Sequence, residues 1–237
     1  MRTLIFPDIH GRSFWRKPIE EHLDKVDHVV FLGDYLDPYS HEGVTKQTAL
    51  DVFKELLALQ NENPDKITML LGNHDLSYVY DRFTPCRHDD KNHKEIHKLF
   101  KDNAPFFRLA YDEKRGDMTY LYTHAGLMVS FFRRHEDIIA APDAASLNRL
   151  LELDDDTVVS VLDEIGMLRG GIDPTGSIVW SDVRERFYEK KEFKNIFQIF
   201  GHTMLSKDMV KEENFACIDS HRGFILDDEN NLSPLEP

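Results

Sequence analysis

Two hydrophobic rhythms alternate along the first 75 residues. Residues 3–6, 26–32 and 67–71 are short apolar runs, each closed by glycine or proline and then by acids or histidines. Between the second and third runs, apolar residues recur at Ala49, Val52, Phe53, Leu56 and Leu57 over a polar opposite face. The runs predict strands, and the spacing predicts an amphipathic helix opened by Val44 or Thr45 and stopped by Asn63-Pro64-Asp65. Pro7, lacking a backbone donor, ends the first strand, and Ser13 is a candidate cap for a helix running to about Asp24. Residues 26–32 are apolar almost throughout, as in a parallel strand covered on both faces. The order is a βαβαβ unit with right-handed crossovers.

Beyond Asp75 the rhythm loosens. Leu76 to Phe83 is expected to begin a helix, 84–90 to be irregular and Asn92 to Asp102 to be helical. Residues 105–110 and 118–122 read as strands joined by a turn over 112–117. The stretch 127–165 has a helical pattern and carries an acidic run, Glu152 to Asp156, read as a solvated face. Residues 169–176, with three glycines and a proline, read as a long flexible loop. Residues 195–200, 215–218 and 224–226 are short strands before a polar tail. No repeat, low-complexity segment or linker interrupts the chain, so one domain over 1–237 is expected, with 81–118 and 127–177 as insertions that wall a pocket.

Composition narrows the function. The chain has 237 residues, 29 Lys plus Arg against 43 Asp plus Glu, and a net charge of −14. Such a surface repels a phosphate backbone, which argues against a nucleic-acid partner, while bound cations can still reverse the sign inside a pocket. Cys86 and Cys217 have no CxxC spacing, and a reducing compartment follows. Neither a leader-like N-terminus nor an apolar run of ~18 residues is present, so a cytoplasmic protein with no membrane partner is expected. His22, His28, His88, His93 and His97 read as solvated positions. Nothing in the sequence sets an oligomeric state.

The chemistry gathers where strands end, the usual place for ligands in an open α/β sheet. Asp8 and His10 follow the first strand, Asp34 and Asp37 the second, and Asn73-His74-Asp75 the third. His124 and His202 follow two later apolar runs. This donor set mixes carboxylate, imidazole and amide without thiolate, which suits Mn, Fe, Zn or Ni. Six of these, Asp8, His10, Asp34, Asn73, His124 and His202, exceed what one tetrahedral ion takes, and a bridging Asp34 would let two ions sit roughly 3.5–4 Å apart, an arrangement that serves phosphoryl chemistry. His74 is a proton donor oriented by Asp37 or Asp75. No activated Ser or Cys nucleophile is evident, so a phospho-enzyme is not needed.

Asp8-Ile9-His10-Gly11, Gly33-Asp34-Tyr35-Leu36-Asp37, Gly72-Asn73-His74-Asp75, Thr123-His124-Ala125-Gly126 and Gly201-His202-Thr203 together resemble the calcineurin-like metallophosphoesterase family, and they arrive in its order. The resemblance implies an α/β fold, a four-layer αββα sandwich, with two divalent ions at the strand ends. By it, Asp8, His10 and Asp34 hold one ion, and Asp34, Asn73, His124 and His202 the other, with Mn²⁺ as the expected metal. It makes His74 the catalytic acid paired with Asp37, and the reaction a direct attack by metal-bridging hydroxide. Trp180-Ser181-Asp182 and Cys217-Ile218-Asp219-Ser220 look like motifs of the serine/threonine phosphoprotein phosphatase and diadenosine tetraphosphatase branch, in which Arg169 resembles a phosphate-clamping arginine. A phosphomonoesterase acting on phosphoprotein or small esters is therefore expected, with a dinucleoside polyphosphate hydrolase as the alternative. A silent scaffold of the same fold is disfavoured because none of the seven central residues is lost. Two positions depart from the pattern. Gly201-His202-Thr203-Met204 lacks the second histidine of a Gly-His-x-His form, and Pro38 stands where that branch has an arginine. Arg12, Arg82 and Arg87 are candidates to compensate.

Overall fold

The computed structural model describes residues 1–189 and 192–236. The three leading apolar runs fold as β1 (Thr3–Phe6), β2 (His28–Phe31) and β3 (Ile67–Leu70). They are parallel, with Thr3 opposite His28 and Val29 opposite Ile67. Their connections carry α1 (Arg16–His22) and α2 (Lys46–Glu62). Thr45 caps α2, its hydroxyl accepting the Thr48 N–H at 3.0 Å, and Ala49, Val52, Phe53, Leu56 and Leu57 are all buried. Phe53 stacks on Tyr35 at 5.4 Å and meets Phe100 at 4.7 Å; burying each such side chain contributes roughly 1.5–3 kcal/mol. Ser13 does not cap α1. The helix opens two residues later behind Trp15, and only the Ser13 carbonyl takes part, accepting the Arg16 N–H.

The helix after β3 also starts elsewhere than expected. α3 spans Asn73–Val79, beginning three residues before Leu76. Asp75, in its first turn, accepts the Gly72 N–H at 2.9 Å, and an acid there complements the helix N-terminus. α4 (His93–Asp102) follows, then β4 (Phe107–Arg108), β5 (Ala110–Arg115) and β6 (Met118–Thr123). The strand expected over 105–110 lies further along because Pro105 sits in a 3₁₀ turn, and the connecting turn is only Gly116-Asp117, with Gly116 at φ 60°. The stretch 127–165 is not one helix but α5 (Val129–Arg134), α6 (Ala144–Asn148) and α7 (Asp155–Leu162). α8 (Val183–Glu189), β7 (Ile196–Phe200), β8 (Val210–Lys211), β9 (Phe215–Cys217), β10 (Phe224–Leu226) and β11 (Leu232–Pro234) complete the described chain.

One sheet has the order β11-β10-β1-β2-β3-β4 and the other β5-β6-β7-β9-β8. The fold is thus mixed α/β with two sheets flanked by helices, as the resemblance implies. Backbone contacts divide the chain into two compact units, residues 1–107 with 221–237, and residues 108–220. Among the described residues no helix is long and apolar enough to cross a membrane.

The loop at 169–176 is pinned rather than free. Met167 N–H donates to Asp173 O at 2.9 Å, Gly171 N–H to Gly166 O at 3.2 Å, and Gly176 N–H to Glu185 Oε2 at 2.9 Å. Three histidines read as solvated are also engaged. His88 stacks on Tyr78 at 4.0 Å and bonds His93 at 2.9 Å, while His97 Nδ1 bonds Tyr78 O at 2.8 Å.

Candidate metal and phosphate site

In the first unit the turns after β1, β2 and β3 carry Asp8 and His10, Asp34 and Asp37, and Asn73 and His74, all buried. The turns are tied edge to edge by backbone bonds: His10 N–H donates to Asp34 O at 2.7 Å and Gly11 N–H to Tyr35 O at 2.9 Å. His10, Asp34 and Asp37 all take left-handed backbone conformations, φ 45°, 52° and 58°, which non-glycine residues seldom adopt and which recur at functional turns. Gly33 is required where it is. At φ 108° it lies so near the third turn that a Cβ would come within 2.5 Å of the Gly72 nitrogen.

Asp75 braces this arrangement. Its carboxylate accepts the Asp34 N–H at 2.7 Å, the Gly72 N–H at 2.9 Å and the Tyr35 N–H at 3.1 Å. Burial, reinforced by the Asp34 charge, holds its pKa well above the usual carboxylate range. Of the two acids considered as partners of His74, Asp37 takes the place: His74 Nδ1 lies 2.9 Å from Asp37 Oδ2. Tyr78 donates its hydroxyl to the other Asp37 oxygen at 2.5 Å, and His74 N–H donates to Asp34 Oδ1 at 3.0 Å. Burial alone pulls the His74 pKa down, but the Asp34 charge, the Asp37 hydrogen bond and a hydrogen bond with Cys86 outweigh it, raising it to about 10. An imidazole so placed keeps its proton through neutral pH, with Nδ1 held and Nε2 left for transfer.

His10 is the opposite case. Burial holds its pKa well below the ordinary value, and the Asp34 charge only partly offsets this. Its Nδ1 lies 2.6 Å from Leu36 O, so Nδ1–H is the donor and Nε2 keeps a lone pair, 3.6 Å from Asp34 Oδ2 and 4.0 Å from Asp8 Oδ2. His10, Asp34 and His74 each offer a ligand-type atom within 4.8 Å of the others. A neutral imidazole among buried carboxylates fits a hard or borderline divalent cation, which would offset the cost of burying like charges together.

In the second unit, His124 follows β6 and His202 follows β7, parallel neighbours in the sheet. Gly201 N–H donates to His124 O at 2.8 Å, and His124 Nε2 lies 3.1 Å from His202 Nδ1. Trp180 packs edge-on against His202 at 5.8 Å. Arg169 donates from Nη2 to His202 O at 3.0 Å and to Thr203 Oγ1 at 2.8 Å, while its Nε lies 3.1 Å from Asp182 Oδ2. Arg169 is thus fixed against the His202 turn by an acid of the Trp-Ser-Asp segment.

Sequence reading missed Tyr78 as the second anchor of Asp37 and Cys86 as a partner of His74. Tyr78 lies 41 residues from Asp37, and no periodicity links them. The bond to His74 also lowers the Cys86 thiol pKa, against the upward push of burial.

A family model described as calcineurin-like phosphoesterase matches residues 1–206. No curated protein matches the sequence significantly. Among solved structures, the cold-active protein-tyrosine phosphatase of a psychrophilic Shewanella species is similar at a TM-score of 0.55 and 14% identity, covering 99% of this chain and 80% of that one. A protein serine/threonine phosphatase from Saccharomyces cerevisiae, with similarity to human phosphatase PP5, gives a TM-score of 0.55 at 12% identity, covering 100% and 80%. At such identities the likeness is one of fold.

Proposed function

The chain belongs to the calcineurin-like phosphoesterase family, and from that premise we propose that it hydrolyses phosphomonoesters, on phosphoserine or phosphothreonine or on small phosphate esters. Membership makes it a metal-dependent phosphoester hydrolase acting on phosphorylated substrates; the monoester preference, the ion and the role of each residue are our reading. We assign Asp8, His10 and Asp34 to one ion and Asp34, Asn73, His124 and His202 to the other, following the family's motif order. Two divalent ions, Mn²⁺ in this proposal, supply the nucleophile and polarise the phosphoryl oxygens when bound. We take residues 1–237 as a single domain, supported by a family match that runs from 1 to 206. A cytoplasmic location is part of this reading, resting on two cysteines without CxxC spacing.

The observation that carries the reading is the His74–Asp37 contact at 2.9 Å. Asp37, anchored by Tyr78, holds Nδ1–H and fixes the ring. His74 then delivers the proton on Nε2 to the oxygen that leaves the phosphorus, which spares the expulsion of a free alkoxide. Arg169, held by Asp182, is assigned to the phosphate because a guanidinium offers paired donors to two of its oxygens.

The test uses metal-stripped protein, added Mn²⁺, and an aryl phosphate monoester beside the matching diester. Mn²⁺-dependent monoester hydrolysis is expected, falling about 10²–10⁴-fold in His74→Asn as for loss of a general acid, with metal content unchanged. A preference for the diester would overturn the monoester reading, and full turnover in His74→Asn would remove the acid from His74.

A further inference from the structure

A bound phosphoryl group brings negative charge against turns already carrying buried Asp8, Asp34 and Asp37, so a cation with paired donors must face it. Position 38, beside Asp37, holds a proline that offers neither. Arg12, Arg82 and Arg87 are not equivalent replacements. Arg12 is committed to Glu42, with Nε at 2.9 Å and Nη2 at 2.7 Å from the two carboxylate oxygens, and its Nη1 donates to the Asp8 carbonyl at 3.3 Å. Arg82 is exposed. Arg87 turns inward. Its Nε donates to Asp37 O at 3.0 Å, and its Nη2 lies 3.4 Å from His10 Nε2.

The nitrogen that Arg87 meets is the lone-pair nitrogen of His10, since Nδ1–H is given to Leu36 O. This is the nitrogen assigned above to a divalent ion. An ion there takes the lone pair and leaves the Nη2 N–H in need of another acceptor. A phosphoryl oxygen facing the ion can accept that N–H. The guanidinium is seated for this role: its central carbon lies 3.7 Å from the Tyr39 ring centre, a cation–π contact made by its face, while Nη1 reaches only a weak sulfur acceptor, Cys86 Sγ at 3.9 Å. Tyr39 in turn packs edge-on against His10 at 5.4 Å. The Pro38-Tyr39 pair, which carries no charge itself, thus provides the seat for a charge arriving from far along the chain. Arg87 has φ 53°, the left-handed conformation of His10, Asp34 and Asp37. It also lines a cavity of about 1030 Å³ with Pro38, Ser77, His88 and His93, so a substrate can reach it.

Resting on the phosphoesterase reading, we propose that Arg87, held on Tyr39, clamps the substrate phosphate in place of the arginine absent at position 38. The experiment compares wild type, Arg87→Lys and Arg87→Gln, both of which keep much of the side-chain packing. For each, kcat and KM for an aryl phosphate monoester, the inhibition constant of inorganic phosphate and the bound metal content are measured. Calorimetry with inorganic phosphate supplies a readout independent of turnover.

Arg87→Gln is expected to weaken phosphate binding and lower kcat/KM by about 10–100-fold, the scale of a charged hydrogen bond, with metal content unchanged. Arg87→Lys should fall between, keeping charge but losing the fork. Phosphate binding in Arg87→Gln equal to wild type would overturn the clamp while leaving an active phosphoesterase. A wild type that binds phosphate through Arg87 yet hydrolyses no ester would overturn the phosphoesterase reading and leave the anion clamp standing.

Discussion

The His74 region and the His202 region hold their functional side chains by different means. Around His74, three consecutive parallel strand ends are laced together through main-chain groups: Asp75 takes N–H bonds from Asp34, Tyr35 and Gly72, and Asp34 takes one from His74. Around His202, main-chain bonds run from Gly201 N–H to His124 O, Thr203 N–H to Gly201 O and Ile218 N–H to Phe200 O, and side chains add to them, Arg169 on His202 O and Thr203, and Asp182 on Arg169. A carboxylate gripping backbone N–H groups fixes its neighbours with little conformational freedom left to lose. A chain of long side chains fixes them more loosely and depends on charge. The first region should therefore fail abruptly when altered and the second by degrees.

Asp34→Asn puts that contrast under the greatest strain. The amide can still accept the His74 N–H, so the turn is preserved while the charge assigned to both ions is lost. Metal content should fall from about two per chain toward zero. Turnover should drop by more than about 10³-fold, because a Lewis acid contributes several kcal/mol. Metal analysis beside circular dichroism checks this. A folded Asp34→Asn protein retaining two ions would show that Asp34 does not bridge.

His202→Ala should do less. It removes one nitrogen of the 3.1 Å pair with His124 and leaves the first region's bonds untouched. About one ion per chain is expected to remain, with turnover lowered about 10–100-fold, the scale on which weakened metal support is felt. If both ions were lost together, as in Asp34→Asn, the two regions would not differ in the way their bonding suggests.

The same contrast explains what could be read from the chain. The strand-end residues of the first region were legible because each follows an apolar run and a Gly or Pro within a few positions. What bound them was not. Asp75 looked like chemistry, and its use as a capping acid moved the start of α3 back to Asn73. Tyr78 on Asp37 and Arg87 on His10 meet only through tertiary packing, across 41 and 77 residues. In 127–165 the helical rhythm was real, but Asp143 and Asp154 are caps, accepting N–H bonds from Ser146 at 2.7 Å and Thr157 at 3.0 Å. They start new helices, while Glu152 to Asp156 stay exposed, as a solvated face. β8 and β11, of two and three residues, are too short for a period of two to register.

The mildest change belongs to the acid that holds Arg169. Asp182 is 2% exposed. Its oxygens receive Arg184 Nε at 2.8 Å, the Arg184 N–H at 2.9 Å and Arg184 Nη2 at 3.0 Å, with Arg169 Nε 3.1 Å away. Burial pushes its pKa up, but the Arg184 hydrogen bonds and the two arginine charges outweigh this and set it below the usual carboxylate value. A depressed carboxyl stabilises the fold fully above its unfolded pKa of about 3.9, and that contribution fades as pH falls through the lower folded value. Asp182→Asn should then cost about 1–3 kcal/mol at pH 7, a few degrees in Tm for a chain this long. The gap to wild type should shrink as pH falls below about 4, where the unfolded acid takes up its proton first, and the charge contribution should be gone below the lower folded value. Turnover should change only a few-fold and through KM, since Arg169 loses a brace rather than its charge. Urea unfolding of both proteins at pH 7 and pH 3 decides the matter, for a gap of equal size at both would place the effect of Asp182 in packing rather than in charge.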